Sequence, residues 1–257
     1  MEHIQRPLQG TRVLVTRPQQ RAGGLCELIE AAGGIALQFA AIEITDPTDS
    51  ASREYAKNHI QEFDIAVFIS PTAVEKTFEF IDQLPGGLAI SAIGSRTGKA
   101  LKSRGIRVDI MPDGHDSEAL LRHSRMQASQ VAGKKIVIFR GEGGRELLGD
   151  TLRSRGAEVF YAEMYYRSPP ASDKLLQQYL AEADVVTVSS NQGLQNLYDL
   201  TADKQSLTRH VLVVPGERAN ALATALGFNN IIMAENATDE ACMNALKCAK
   251  SQLSKKP

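Results

Sequence analysis

Short apolar runs recur along this chain, and each is followed by a polar or glycine-containing turn and then a stretch of helical period. The runs are VLV (13–15), IAVFI (65–69), LAISAI (88–93), KIVIF (135–139), DVVTV (184–188), HVLVV (210–214) and NIIM (230–233). Strands that are apolar on both faces are covered on both faces, and parallel strands need crossover helices. The alternation therefore predicts an α/β fold with parallel sheets flanked by helices.

An internal repeat narrows the fold further. VLVTR (13–17) leads to Gly33 in AAGGIALQF as IVIFR (136–140) leads to Gly156 in RSRGAEVFY. EFDIAVFIS (62–70) parallels EADVVTVSS (182–190), and Gly105 precedes Ser117-Glu118-Ala119 by the offset that separates Gly227 from Asp239-Glu240-Ala241. A short unit and a long unit thus each occur twice, which predicts two related lobes. A cut near residue 125 would make them tandem. Against that, LQFAAIEITDPT (37–48) and VFYAEMYYRSPP (159–170) are both extended, β-rich and closed by proline-containing breaks, so they can pair as a two-stranded ladder. The preferred division makes one lobe from 1–36 with 172–257 and the other from 50–157, with 37–49 and 158–171 as the linking ladder.

A chain of 257 residues, 43% hydrophobic, can bury two ordinary cores. Its net charge of −1 provides no broad basic field for nucleic acid, so an anionic partner must be bound by local features. Cys26, Cys242 and Cys248 are too few and too irregularly spaced for a disulfide framework, which fits a reducing cytosol. MEHIQRPLQGTRVLV has no leader pattern, and no apolar run approaches the ~18 residues that span a bilayer. A cytoplasmic protein without membrane association is expected.

In an open α/β sheet, ligands sit beyond the carboxyl ends of the strands, where helix N-termini offer free N–H groups and a positive dipole. The corresponding turns of this chain are alike in composition. They are Thr16-Arg17-Pro18, Ser70-Pro71-Thr72, Gly94-Ser95-Arg96-Thr97, Arg140-Gly141-Glu142-Gly143-Gly144-Arg145, Ser189-Ser190-Asn191-Gln192-Gly193 and Pro215-Gly216-Glu217-Arg218. Any one of them alone reads more readily as ordinary helix capping. Six together, four of them carrying arginine, imply a cleft between the lobes lined with oxyanion sites.

Other chemistries find little support. SAIGSRTGKA is no phosphate loop, because only three residues separate Gly94 from Gly98 and Ala100 follows Lys99 where a hydroxyl would ligate magnesium. His115 and His123 have no carboxylate at metal-ligand spacing. There is no Gly-x-Ser-x-Gly elbow, no Ser-His-Asp set, and GEGGRE is not a dinucleotide fingerprint. No metal and no cofactor are expected. Tyr165 and Tyr166 stand adjacent in the supposed ladder, and strand neighbours face opposite ways, so one of them can point into the cleft.

VLVTRP, FDIAVFISPTAV, AIGSRTGKAL followed by Gly105, IFRGEGGRELLGDTLRSRGAEV, MYYRSPP, VTVSSNQGL and LVVPGERANALATALGF occur in this order across residues 11–250. In them the chain resembles the uroporphyrinogen-III synthase family. The resemblance implies two α/β lobes joined by a ladder, and a cofactor-free cyclisation of hydroxymethylbilane. That linear tetrapyrrole carries an acetate and a propionate on each ring; the enzyme removes water and inverts the final ring to give uroporphyrinogen III. The resemblance makes Tyr165 the catalytic candidate, assisting departure of the hydroxyl. It assigns substrate carboxylates to Ser70, Thr97, Ser190 and the turns of Thr16 and Arg17, Arg140 and Gly141, and Gly216 to Arg218; Pro71, Ser95 and Ser189 join them as members of the turns read above. Relatives often have serine where this chain has Gly216, so only backbone donors are expected there. A monomer is expected, with transient contact to the enzyme that makes the substrate. Two alternatives use the same turns: a non-catalytic two-lobed binding or sensor protein for a polyanion, and a nucleotide-dependent transferase built on the Gly94 loop.

Overall fold

The computed structural model describes residues 6–253. In chain order its strands are β1 (Arg12–Val15), β2 (Ile35–Gln38), β3 (Glu43–Thr45), β4 (Ile65–Phe68), β5 (Ala89–Ala92), β6 (Lys135–Gly141), β7 (Glu158–Ser168), β8 (Val185–Thr187), β9 (Val211–Val214) and β10 (Asn230–Met233). The helices of the first half are α1 (Gln19–Ala31), α2 (Ala51–Asn58), α3 (Pro71–Phe80), α4 (Ser95–Lys102), α5 (Ser117–Arg122) and α6 (Ala128–Val131). Those of the second half are α7 (Leu147–Ser154), α8 (Lys174–Glu182), α9 (Asn191–Leu200), α10 (Lys204–Leu207), α11 (Glu217–Ala225) and α12 (Asp239–Leu253).

The strands make two five-stranded sheets, ordered β10-β9-β8-β1-β2 and β3-β7-β6-β4-β5. Neighbours from β10 through to β2, and from β7 through to β5, run parallel. The chain divides into two compact units, one running to Glu43 and resuming at Ser168, the other spanning Ile44–Arg167. The first sheet takes its strands from the first short repeat unit and the second long one. The second sheet takes the remaining two, with β3 added beside β7.

The apolar runs form strands because each sheet is covered on both faces. Along β1, Val13 and Val15 pack with Leu25 and Ile29 of α1 and Leu246 of α12, while Leu14 packs with Leu176, Leu194 and Ala219 on the opposite side. Along β4, Ala66 and Phe68 join Val74 and Leu101, while Ile65 and Val67 join Leu120, Leu148 and Leu152. This is the two-residue strand period expressed on two buried faces.

The repeat has a structural counterpart at both ends of its EFD/EAD strands. Asp64 and Asp184 each accept, at 2.8 Å, the backbone N–H of the residue opening the neighbouring strand, Lys135 and Arg12 respectively. In both units the strand and its turn thus begin on a pinned carboxylate and end on a capping serine. That Lys135 N–H holds the Asp64 carboxyl below its ordinary pKa, against partial burial.

The expected ladder differs from the observed pairing. Leu37 and Gln38 close β2 opposite Leu14 and Val15, and the part of β7 from Glu158 to Glu163 pairs in parallel with Lys135–Arg140 of β6. Only β3 lies along β7 from the other expected segment. β-rich sequence marks a strand, but which edge it joins is a tertiary choice.

Candidate active site

Each sheet has a topological switch point, where the helices after adjacent strands leave on opposite faces and open a crevice at the carboxyl ends. In the first unit it lies between β1 and β8, since α1 and α9 pack on opposite sides. In the second it lies between β4 and β6, followed by α3 and α7 on opposite sides. Thr16, Arg17, Ser189 and Ser190 stand at the first switch point, and Ser70, Pro71, Arg140 and Gly141 at the second. Gly216 and Arg218 open α11, and Ser95 and Thr97 begin α4, one strand further out in each sheet.

The cap serines repeat closely. Ser70 (φ −162°, ψ 158°) accepts the Ala73 N–H at 3.0 Å, and Ser190 (φ −163°, ψ 160°) accepts the Gly193 N–H at 3.1 Å. Pro71 occupies the first turn of α3, where no donor is lost. The next turns are capped by glycines for different reasons. Gly216 has φ +133°, a region closed to a serine side chain without strain. Gly94 is fully extended, but a Cβ there would meet His115 Cα at 2.9 Å.

Several expected ligand groups are engaged internally. The Thr16 hydroxyl donates to Thr187 O at 2.7 Å and ties β1 to β8. Arg17, 8% exposed, is ion-paired with Asp239 and donates to Ala237 O at 3.1 Å. Arg140, similarly buried, lies 2.9 Å from Glu146 and 3.0 Å from Glu163, with its guanidinium carbon 3.8 Å from the centre of the Tyr161 ring. Burial opposes its charge, yet the two glutamates hold its pKa above the ordinary value. Thr97 is buried, whereas Ser95 and Arg218 are exposed, as are Lys99 and Lys102. Arg17 and Arg140 therefore brace their turns, and their charges are already matched.

The hydroxyl chemistry gathers around Tyr165. Tyr165 is 1% exposed and Tyr166 is exposed, so the inward member of the pair is Tyr165. It does not stand free: its hydroxyl lies 3.1 Å from Ser70 Oγ and accepts from Arg167 Nη2 at 3.0 Å. A register shift between Arg140 and Gly141 brings Gly141 opposite Tyr165. The ring lies on that glycine, where a Cβ would sit 2.6 Å from Cε2 and 2.7 Å from Cζ. Glu142 N–H donates to Tyr165 O at 2.8 Å, and the Glu142 carboxylate accepts from Thr48 N at 3.0 Å and Thr48 Oγ1 at 2.7 Å. Those Thr48 bonds hold the Glu142 carboxyl below its ordinary pKa.

A crevice of about 270 Å³ opens in the second unit between Ile69, Ile93, His115, Arg140, Arg145 and Tyr161. Burial pushes the Cys242 thiol up to about 11, which leaves it protonated and inert at neutral pH. Among the described residues no His, Cys, Asp and Glu cluster stands in a metal-binding arrangement, and no helix is long and apolar enough to cross a membrane.

Sequence reading missed Asp239, Glu163, Glu146 and Arg167. The first pairs with an arginine 222 positions away, a distance over which no local pattern carries a signal. The Tyr-x-Arg spacing was the one available pointer to Arg167, since alternate strand residues share a side.

Comparison with known proteins agrees with this architecture. Residues 24–244 match the family model described as uroporphyrinogen-III synthase HemD. The uroporphyrinogen-III synthase of Salmonella typhimurium is 32% identical over 246 residues, covering 91% of this chain and 99% of that protein. Among solved structures, a mutant uroporphyrinogen III synthase of Thermus thermophilus superposes with a TM-score of 0.62 at 18% identity, covering 95% of this chain and all of that one. The uroporphyrinogen-III synthetase of Helicobacter pylori does so with a TM-score of 0.62 at 12% identity, covering 96% of this chain and all of that one. On the extent of these matches, the chain belongs to the uroporphyrinogen-III synthase family.

Proposed function

We propose that this protein cyclises hydroxymethylbilane, with loss of water and inversion of the final ring, to give uroporphyrinogen III. Family membership supports the reaction, and the observation that carries it into this structure is the contact between the Ser70 and Tyr165 hydroxyls at the second switch point. The substrate loses hydroxide readily, giving an electrophilic azafulvenium cation. The protein's work is therefore to fold the chain so that the substituted carbon of the last ring attacks, through a spiro intermediate.

The substrate is an anionic linear tetrapyrrole whose acetates and propionates are spread along its length. We assign them to backbone N–H groups and hydroxyls at the turns of Thr16 and Arg17, Ser70 and Pro71, Ser95 and Thr97, Arg140 and Gly141, Ser189 and Ser190, and Gly216 to Arg218. An exposed helix N-terminus contributes about 0.3 to 1 kcal/mol per anion, so several together hold a polyanion without a basic surface. Tyr165 assists departure of the hydroxyl. The same reading has the enzyme work without a cofactor, as a cytoplasmic monomer that takes its unstable substrate from the enzyme producing it. The non-catalytic alternative is not favoured, because the matched relatives are named as synthases.

The test is incubation with freshly generated hydroxymethylbilane, followed by oxidation and separation of the porphyrin isomers. Isomer III is expected. Isomer I alone, the product of unassisted closure, would show that the protein does not direct the reaction.

A further inference from the structure

A buried tyrosine needs a route to its substrate. The Tyr165 oxygen accepts from Arg167 Nη2 at 3.0 Å, and a guanidinium has only donors, so the phenol hydrogen must point elsewhere. Ser70 Oγ, 3.1 Å away, is the partner left to it. Ser70 Oγ already accepts the Ala73 N–H at 3.0 Å, and its second lone pair can take the Tyr165 hydrogen. That leaves the hydrogen of Ser70 itself uncommitted. Ser70 is half-buried at the carboxyl end of β4, at the switch point where a ligand is expected.

The first unit is an internal control. By the offset that relates Gly156 to Gly33, Tyr165 corresponds to Ile42. Ile42 Cδ1 lies 3.8 Å from the position a Gly193 Cβ would take, and that position is 3.3 Å from Ser190 Oγ. The first unit thus keeps the capping serine in the same conformation and carries an isoleucine where the second unit has the tyrosine. The serine cap and its backbone conformation therefore form without a tyrosine at this place.

We propose that Tyr165 works through Ser70, with Ser70 touching the departing hydroxyl and Arg167 facing the charge left on Tyr165. The proposal rests on the reading above that Tyr165 assists loss of that hydroxyl. As the C–O bond breaks, its electron pair leaves on oxygen and the Ser70 proton completes a water molecule. In the same step the Tyr165 proton moves to Ser70 Oγ, so no alkoxide forms. The pyrrole ring supplies electrons to the carbon and becomes an azafulvenium cation, and the phenolate lies against Arg167. The substituted carbon of the last ring attacks that cation to give the spiro intermediate, and the bond from this carbon to its old bridge carbon then breaks. The unsubstituted carbon of the last ring attacks the freed bridge carbon and loses its proton to restore the pyrrole, and that proton reprotonates Tyr165.

The experiment measures kcat and KM with hydroxymethylbilane for Ser70→Ala, Tyr165→Phe and the double variant. Each single change should lower kcat about 10- to 100-fold, at or below the low end of general-acid effects, with KM nearly unchanged in Tyr165→Phe and raised in Ser70→Ala, which also loses a carboxylate contact. The double variant should be no slower than the slower single one, since both remove one relay. Losses that multiply would overturn the relay while keeping Tyr165 as an independent contributor. An unchanged rate in Tyr165→Phe would overturn the reading of Tyr165 itself. Ser70→Ala also removes the α3 cap, so Ser70→Thr, which keeps hydroxyl and cap, should turn over faster than Ser70→Ala; equal rates overturn the role of the hydroxyl. Arg167→Lys should retain more kcat than Arg167→Gln, and equal loss removes Arg167 from the relay.

Discussion

At the scale of single residues, this site depends on what a side chain is denied as much as on what it reaches. Gly141 is the clearest case: it faces Tyr165 across a register shift, and the ring occupies the space a Cβ would need. Tyr165 is buried in the same core cluster as Phe68, Phe139, Ala162 and Met164, and native cores leave little room for an added carbon. Gly141→Ala should therefore move the ring off Ser70 and cost about 1 to 3 kcal/mol of stability, the usual range for overpacking. Chemical denaturation together with kcat checks it: turnover should fall toward that of Tyr165→Phe. Wild-type kcat in a folded Gly141→Ala variant would mean that the Ser70 contact is dispensable. The doublet at 165 and 166 is legible in sequence as one inward and one outward ring. That the inward hydroxyl is covered by Arg167 is not, because the cover comes from packing and hydrogen bonding that a residue pattern does not encode.

At the scale of elements, the repeat explains why the turns look alike and why they do different work. Both capping serines satisfy a helix N-terminus in the same backbone conformation. Ser190→Ala should lower stability by about 1 kcal/mol, the ordinary value of a lost cap, and raise KM more than it lowers kcat. Urea denaturation and steady-state kinetics separate the two effects; a kcat loss as deep as that of Ser70→Ala would contradict the asymmetry between the units. The arginines show the limit of reading turns from sequence. Arg17 and Arg140 sit where free cations would suit substrate carboxylates, yet each is matched by acids brought from elsewhere in its own unit. A buried guanidinium without partners would be costly, so the fold supplies them.

At the scale of the whole molecule, the carboxyls held below their ordinary pKa among the described residues, Glu62, Asp64, Glu142 and Glu146, all belong to the second unit. A carboxyl whose folded pKa lies below its unfolded value stabilises the fold above that unfolded value, about 4, and the contribution disappears as pH falls through the folded value. Acidification from about pH 6 to pH 3.5 should therefore lower the melting temperature more in the wild type than in Asp64→Asn, where one such carboxyl is absent. Equal acid sensitivity would show that the Asp64 bond to Lys135 carries no such linkage. Sequence by itself determined the α/β class, the strands, the repeat and the place of the turns at the strand ends, because apolar periodicity, glycine spacing and capping serines are local properties. The tertiary structure decided which sheet each strand joined, that β2 ended in the first sheet, that Arg17 and Arg140 were neutralised, and that Tyr165 met Ser70 over Gly141. Those outcomes depend on groups tens to hundreds of positions apart coming within about 3 to 4 Å, and only the packed chain brings them together.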